Sequence, residues 1–405
     1  MNLISEAEKY IFSTYNRFPI VLVKGKGTRV WDKDGKEYLD FVSGLAVCNL
    51  GHCHPRVVEA IETQAKSLLH VSNLYYTKPQ IELARLLVEN SFADKVFFCN
   101  SGAEANEGAI KLTRKYMRDK NEDRFEIITL ENSFHGRTLA TITATGQDKF
   151  KKGFEPLVPG FRQVPFNNLD AISKAVNEKT AAIMVEPIQG EGGVNCPSDN
   201  YLKELRALCN EKKLLLIFDE VQVGLGRTGK LFAYEHYEIT PDIMTLAKSL
   251  AGGLPIGALL AREEIAKSFT PGTHASTFGG NPLVTAAAIA AFTTLNDPKL
   301  LENCRKMGDY FQEKLNRLKE KFPMIIREVR GKGLIIGMEL TIPGADIVNR
   351  CLGKGVLINC VQNNVLRFLP PLIVTQTEID QVVKILEEIF HQIKNRNQLR
   401  QEKQL

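Results

Sequence analysis

Six short apolar runs recur through the middle of the chain without alternating with polar residues: "KVFFCN", "EIITL", "AAIMVEP", "LLLIFDE", "DIMTLA" and "IGALLA". Continuous apolar runs of this length predict strands buried on both faces, and hence a largely parallel sheet covered by helices. Amphipathic stretches such as "SDNYLKELRALCNEKK" lie between several of them, which completes an α/β pattern. "GTRVWDKDGKEYLDFV" reads instead as a hairpin with "DKDGK" as its turn. After residue 295 the pattern changes. A long charged helix, "DPKLLENCRKMGDYFQEKLNRLKEKFP", precedes short strands in "IIREVRGKGLIIGMEL" and "VLINCVQNNVLRFLPPL". A last helix, "TQTEIDQVVKILEEIFHQIK", opens on a threonine N-cap with an acid in its first turn. We therefore expect a large domain over 46–295, a smaller α+β domain over 296–395 joined by the N-terminal segment 1–45, and a polar tail over 396–405 that frays into solvent.

Composition narrows the function classes. The 405 residues are 44% hydrophobic and 24% charged, enough for a large core in two or three domains. The net charge of +5 is spread along the chain, without a basic stripe interleaved with aromatics, so no nucleic-acid partner is expected. The longest apolar stretch, near "LVTAAAIAAFTTL", falls short of a membrane span, and the N-terminus has no apolar core of the secretory kind. Eight cysteines without CxxC spacing fit reduced thiols and a cytoplasmic setting. "GHCHP" offers His52, Cys53 and His54, but adjacent ligands poorly share one tetrahedral ion, so we read a tight loop before a helix and expect no metal.

In open α/β sheets ligands gather at the carboxyl ends of the strands, and several predicted strand ends carry unusual residues. Beyond "KVFFCN", Ser101 and Gly102 open an amphipathic helix. They suit an ordinary serine N-cap or an anion site equally. "LLLIFDE" closes on Asp219 and Glu220, which fit a structural ion pair or an acid that holds a protonated ring nitrogen. "SFHGRT" supplies Phe134, His135 and Arg137: a core ring or a stacking one, a surface guanidinium or a carboxylate clamp. "IMVEPIQGEGG" ends a strand at Glu186 and carries Glu191 in a glycine-rich loop. "GLGRTG" matches a dinucleotide fingerprint, yet "DEVQV" separates it from the strand and an aromatic-rich segment follows, so we reject that reading in favour of a tight loop. In "DIMTLAKSLAGGLPIGALLA" a single lysine, Lys248, sits in an apolar, glycine-rich run. Either it reaches solvent, or the fold keeps a neutral amine there, and a neutral amine is a nucleophile for carbonyls. Together these residues form an inventory for pyridoxal phosphate bound to lysine as a Schiff base.

The motifs "LDFVSGLAVCNLGHCHP", "NSGAEANE", "SFHGRT", "VEPIQGEGG", "IFDEVQVGLGRTG", "TLAKSLAGGLPIGA", "HASTFGGNPL" and "LRFLPPL" together resemble the class III pyridoxal-phosphate aminotransferases. The resemblance runs from about Tyr15 to the last helix and keeps the family's order and spacing. It implies the fold type I aminotransferase fold, with a large domain whose mostly parallel sheet is covered by helices plus a smaller α+β domain, in a homodimer with active sites at the interface. It implies Lys248 as the Schiff-base lysine, Asp219 on the pyridinium nitrogen, Gln222 near the phenolic oxygen and Phe134 on the ring. Ser101, Gly102 and Ala103 would hold the phosphate, with a hydroxyl from the partner subunit's Thr277. Arg137 and Arg367 would bind substrate carboxylates, Glu191 would mask Arg367, and Tyr15 would line the entrance. His135 receives no role.

The resemblance further implies transfer of the terminal amine of N2-acetyl-L-ornithine to 2-oxoglutarate, giving N-acetyl-L-glutamate 5-semialdehyde and L-glutamate, a step of arginine biosynthesis. Succinyl-diaminopimelate, ornithine and 4-aminobutyrate are the alternative donors. Ornithine aminotransferases carry a tyrosine where this chain has Leu45, which argues against free ornithine.

Overall fold

The computed structural model describes residues 3–402. Its centre is a seven-stranded sheet in the order Lys95–Cys99, Gly257–Ala261, Ile243–Leu246, Leu215–Asp219, Thr180–Val185, Glu126–Leu130, Phe161–Val164. The strands from Ile243–Leu246 through Phe161–Val164 pair in parallel, and Gly257–Ala261 runs antiparallel to both its neighbours. Each continuous apolar run became a strand, and four of them are buried along their whole length. The edge strand Phe161–Val164 escaped the sequence reading because "FRQV" alternates and is only partly buried. The most apolar stretch forms the helix Pro282–Leu295, packed in the core. Among the described residues no helix is long and apolar enough to cross a membrane.

Two smaller sheets flank the large one in sequence. Ile326–Lys332, Ile335–Leu340, Val365–Phe368 and Asn359–Val361 form an antiparallel sheet. The long charged helix spans Pro298–Lys321, with Asp297 accepting a 2.8 Å hydrogen bond from the Lys299 amide at its start. The third sheet contains the expected hairpin, Arg29–Asp32 against Glu37–Asp40, beside Leu22–Lys26. Asp32 makes the turn by accepting from the amides of Asp34 and Lys36 at 3.0 and 2.9 Å. Its fourth strand is Val356–Leu357, which pairs in parallel with Leu39 and Asp40.

The last helix opens as expected, with the Thr375 amide donating to Glu378 at 2.9 Å, but it runs Gln376–Glu402. The backbone from 396 to 402 is therefore helical where a fraying tail was expected, while 403–405 lie outside the described residues. The segment contains Gln, Arg, Leu and Glu and neither Gly nor Pro, so nothing in it stops propagation.

The two ambiguous motifs resolve into connections. "GHCHP" is a tight turn before the helix Pro55–Ala65. A side chain at Gly51 would meet the Gly27 carbonyl oxygen at 2.7 Å, and the His52 imidazole pairs with Asp40 at 2.7 Å. In "GLGRTG", Gly226 and Gly229 both take φ +88° in a turn that opens no long helix. Between them the guanidinium of Arg227 is fully buried. It donates to the carbonyls of Leu334 at 2.8 Å and Pro370 at 2.5 Å, and to the Asn49 side chain. All three acceptors are neutral, and burial lowers the pKa of Arg227 to about 10.

Candidate active site

The carboxyl ends of the central strands surround a cavity of about 440 Å³. At one end the helix Gly102–Asp119 begins. Ser101 is extended, and its hydroxyl accepts from the Glu104 amide at 3.2 Å, so it is an N-cap. The first turn of a helix leaves free N–H groups that attract anions, and here Ser101, Gly102 and Ala103 all line the cavity. Gly102 is required by close approach: a Cβ there would stand 2.8 Å from Val221. The cap and the anion site, weighed as alternatives above, are compatible at this position.

Asp219 ends its strand at the opposite side and is 4% exposed. One carboxylate oxygen accepts from the Asn106 side-chain amide at 2.7 Å and faces His135 Nδ1 at 2.9 Å, and the other accepts from the Val221 amide at 3.0 Å. Asn106 also donates to the His135 carbonyl at 2.7 Å and accepts from the Thr245 hydroxyl at 2.7 Å. His135 Nε2 is buried without a partner among the described residues. Glu220, the neighbouring acid, turns away to accept from the amides of Ala233 and Tyr234, and burial raises its pKa to about 8.

Lys248 lines the cavity between these ends. It opens a short turn with φ +47°, a left-handed conformation unusual for a lysine. Its amine makes no hydrogen bond or ion pair among the described residues. Burial pushes its pKa down, only partly offset by Glu191, Asp219 and Glu186. Burial thus favours the uncharged form of this amine, the direction that the second reading of a lone lysine in an apolar run requires. Phe134 also lines the cavity, edge-on to Phe150 with centroids 5.9 Å apart. Its amide donates at 2.8 Å to Glu186, a fully enclosed carboxyl whose pKa rises well above the ordinary range through burial and the nearby Asp219.

The two arginines occupy different settings. Arg367 is fully buried in its strand, and its Nη1 pairs with Glu191 at 2.8 Å and donates to Gln222 Oε1 at 3.1 Å. Gln222 donates in turn to Glu191 at 3.3 Å. Burial pushes the Glu191 pKa up, but Arg367 and Lys248 pull harder and hold it below the ordinary range. Arg137 lines the cavity, is exposed, and lies 3.9 Å from the Phe150 ring centroid with no carboxylate partner among the described residues. The loop that carries Glu191 is pinned rather than free. The Gly190 amide donates to Glu186 at 3.3 Å, and Arg330 donates to the Gly193 carbonyl at 2.8 Å. A side chain at Gly192 would meet the Asn132 carbonyl oxygen at 2.4 Å. The glycines of "QGEGG" suit flexibility by type but serve packing here, so only the Glu191 side chain has room to move.

Three expected residues stand outside this chain's cavity. Tyr15 is 73% exposed and lies beside the Arg17 guanidinium. Thr277 is exposed, and its carbonyl accepts from the Ser72 hydroxyl at 3.1 Å. Leu45 is exposed on a turn in which residues 43 to 46 are all left-handed, with φ of 51°, 60°, 65° and 62°. Val47, two residues on, does line the cavity. The sequence reading missed Asn106 and gave Glu186 no role. A signal for Asn106 existed, since it interrupts the apolar stripe that buries Ala105, Ala109 and Ile110.

The arrangement suits pyridoxal phosphate. It offers free helix-start amides for a phosphate, a hydrogen-bonded carboxylate for a ring nitrogen, an aromatic side chain for the ring's face and, for the aldehyde, an amine whose pKa burial lowers.

Comparison with known proteins agrees with this chemistry. The family described as aminotransferase class-III matches residues 10–390. The chain is 56% identical over 394 residues to the acetylornithine aminotransferase of Caldanaerobacter subterraneus subsp. tengcongensis, covering 97% of this chain and 100% of that one. The crystal structure of the acetylornithine aminotransferase from Elizabethkingia anophelis is similar at TM-score 0.86 and 37% identity, over 96% of this chain and 98% of that one. An ornithine aminotransferase from Toxoplasma gondii, with partial occupancy of PLP at its active site, is similar at TM-score 0.94 and 37% identity, over 98% and 95% of the two chains.

Proposed function

We propose, since this chain belongs to the class-III aminotransferases, that it transfers the terminal amine of N2-acetyl-L-ornithine to 2-oxoglutarate and releases N-acetyl-L-glutamate 5-semialdehyde and L-glutamate. The family works with pyridoxal 5'-phosphate. When bound, that group supplies an aldehyde that takes up amines and a ring that draws electrons from the bond to be broken. Ser101, Gly102 and Ala103 would hold its phosphate with helix-start amides and a hydroxyl. Asp219, fixed by Asn106 and His135, would favour a protonated ring nitrogen. Phe134 would lie against the ring, and Gln222 would serve its phenolic oxygen. Lys248 would hold the aldehyde through its amine and, once a substrate amine has displaced it, its Nζ would be free to hold or move a proton at the substrate carbon. The enzyme acts as a homodimer in the cytoplasm. Its eight free cysteines support that compartment, and the position of Thr277 outside its own cavity supports a site completed by the partner subunit.

One observation carries the choice of substrates: Arg367 is neutralised by Glu191 at 2.8 Å, while Arg137 has no carboxylate partner among the described residues. Acetylornithine presents one carboxylate and reacts through its far amine, so Arg137 suffices and Glu191 keeps Arg367 quiet. Glutamate presents two carboxylates, so the Glu191 side chain must yield Arg367 to the second. The exposed apolar Leu45 suits an N-acyl donor better than a free α-ammonium. Single-turnover kinetics with a panel of amine donors, followed by cofactor absorbance, test this. N2-acetylornithine should react at least about tenfold faster than ornithine, a difference of about 1.4 kcal/mol in transition-state binding. A tenfold preference for ornithine, succinyl-diaminopimelate or 4-aminobutyrate would overturn the substrate and leave the transaminase chemistry standing.

A further inference from the structure

The loop that carries Glu191 meets the C-terminal antiparallel sheet through Arg330 and through a second side chain that no part of the chemistry above uses. Strands Asn359–Val361 and Val365–Phe368 pair through Val361 and Val365, leaving a three-residue turn. Gln362 and Asn363 in that turn take φ of +49° and +68°. Asparagine tolerates the left-handed region through local hydrogen bonding, but glutamine has no such compensation, so Gln362 is held there at some cost. What the turn gains is a contact. The Gln362 side-chain amide donates to the Glu191 carbonyl at 2.9 Å and to Gln147 Oε1 at 2.9 Å. Gln147 is 6% exposed and donates in turn to the Ser133 carbonyl at 3.1 Å, next to Phe134. It lies three residues before Phe150, the ring on which Arg137 rests.

Gln362 therefore sits where the settings of the two arginines meet. On one side it fixes the backbone of the residue that masks Arg367. On the other it touches the segment that leads to the Arg137 platform. The turn itself is anchored independently, since the Asn364 side chain donates to Leu340 and the Gly344 amide donates to the Asn363 carbonyl, at 2.9 and 2.8 Å. It can thus serve as a fixed post.

We propose that Gln362 is a positioning residue that holds the backbone of Glu191 in place over Arg367, and so biases the site towards the substrate with a single carboxylate. The proposal rests on the two-carboxylate reading of the site. Losing one neutral hydrogen bond corresponds to about a fivefold change in an equilibrium, and that sets the expected size.

The test uses the holoenzyme and two variants. Gln362→Asn keeps an amide and relaxes the left-handed backbone, but is too short to reach Glu191. Gln362→Met keeps the length and removes both donors. Two quantities are read: hydrogen exchange in peptides covering residues 188–196, and the ratio of the single-turnover rates with N2-acetylornithine and with glutamate. Both variants should keep the melting temperature. Exchange in the loop should rise about fivefold, and the rate ratio should fall about fivefold. In a Glu191→Gln background, Gln362→Asn should leave the ratio unchanged, because the residue acts through Glu191. Unchanged exchange, equal slowing of both half-reactions, or an undiminished effect in the Glu191→Gln background would each overturn the proposal. Should Glu191→Gln alone leave the ratio unmoved, the two-carboxylate reading falls, while the exchange data still decide whether Gln362 holds the loop.

Discussion

Arg227 and Arg367 are both fully buried, and each leaves one guanidinium nitrogen without a partner among the described residues. The acceptors separate them. Arg227 is bound by two main-chain carbonyls and an asparagine, none of which carries a charge or titrates. Arg367 is bound by the amide oxygens of Gln222 and Asn359 and, as its one charged partner among the described residues, by the side chain of Glu191, which is 26% exposed. One cation is a permanent tie between the loop after the central sheet and the C-terminal sheet. The other is a cation with a removable counter-charge. Neutral, immobile acceptors make a structural arginine, and a mobile carboxylate makes one that a substrate can claim.

The largest expected effect tests the permanent tie. Arg227→Ala leaves a cavity and three unsatisfied acceptors, and should lower stability by about 3–5 kcal/mol, read by denaturant unfolding. An equal loss in Arg367→Ala would break the comparison, because Glu191 can turn to solvent once its partner is gone. Next, Arg367→Ala should slow the glutamate half-reaction by about a hundredfold, about 2.7 kcal/mol for a lost charge-assisted contact, with a much smaller change for N2-acetylornithine. Glu191→Gln should do the reverse at about tenfold, since an amide cannot neutralise Arg367. Equal effects on both half-reactions would make Glu191 structural.

The smallest effect is on pH dependence. The pKa of Glu191 is held below its ordinary value of 4.5. Its contribution to stability is therefore full above 4.5 and lost as pH falls through the lower value. Glu191→Gln should weaken the acid dependence of unfolding in that window alone. Arg227→Ala removes a group that stays charged across this range, and should shift stability by the same amount at every pH between about 4 and 8.

The same pair shows what could be read from the sequence. "GLGRTG" looks like chemistry and turned out to be architecture, whereas the bland "LRFLPPL" carries the arginine that pairs with Glu191. The strands, the hairpin turn, Asp219 and Lys248 were legible because each leaves a local signature: an apolar run, a turn sequence, a charge where none belongs. Arg367 was found through family resemblance alone. Asn106, Gln147 and Gln362 left a weaker trace or none, because their meaning lies in partners far along the chain. Gln362 reaches back to Gln147 and Glu191, and periodicity records no such pairing. The edge strand and the helical tail were misjudged for an opposite reason, since ordinary polar residues are compatible with both solvent and regular structure.

The pairing of Leu39 with Val356 sets the order in which the protein can be completed. At the ribosome, with about 5–20 residues added per second, the amino-terminal hairpin emerges tens of seconds before the strand that finishes its sheet. For that interval it presents an open edge to every other nascent chain. The waiting edge is that of Glu37–Asp40, which reads EYLD with an acid at each end and Lys36 just before it. Charges on an edge discourage pairing with a stranger. During those tens of seconds the same charges keep the first forty residues available for a partner not yet made.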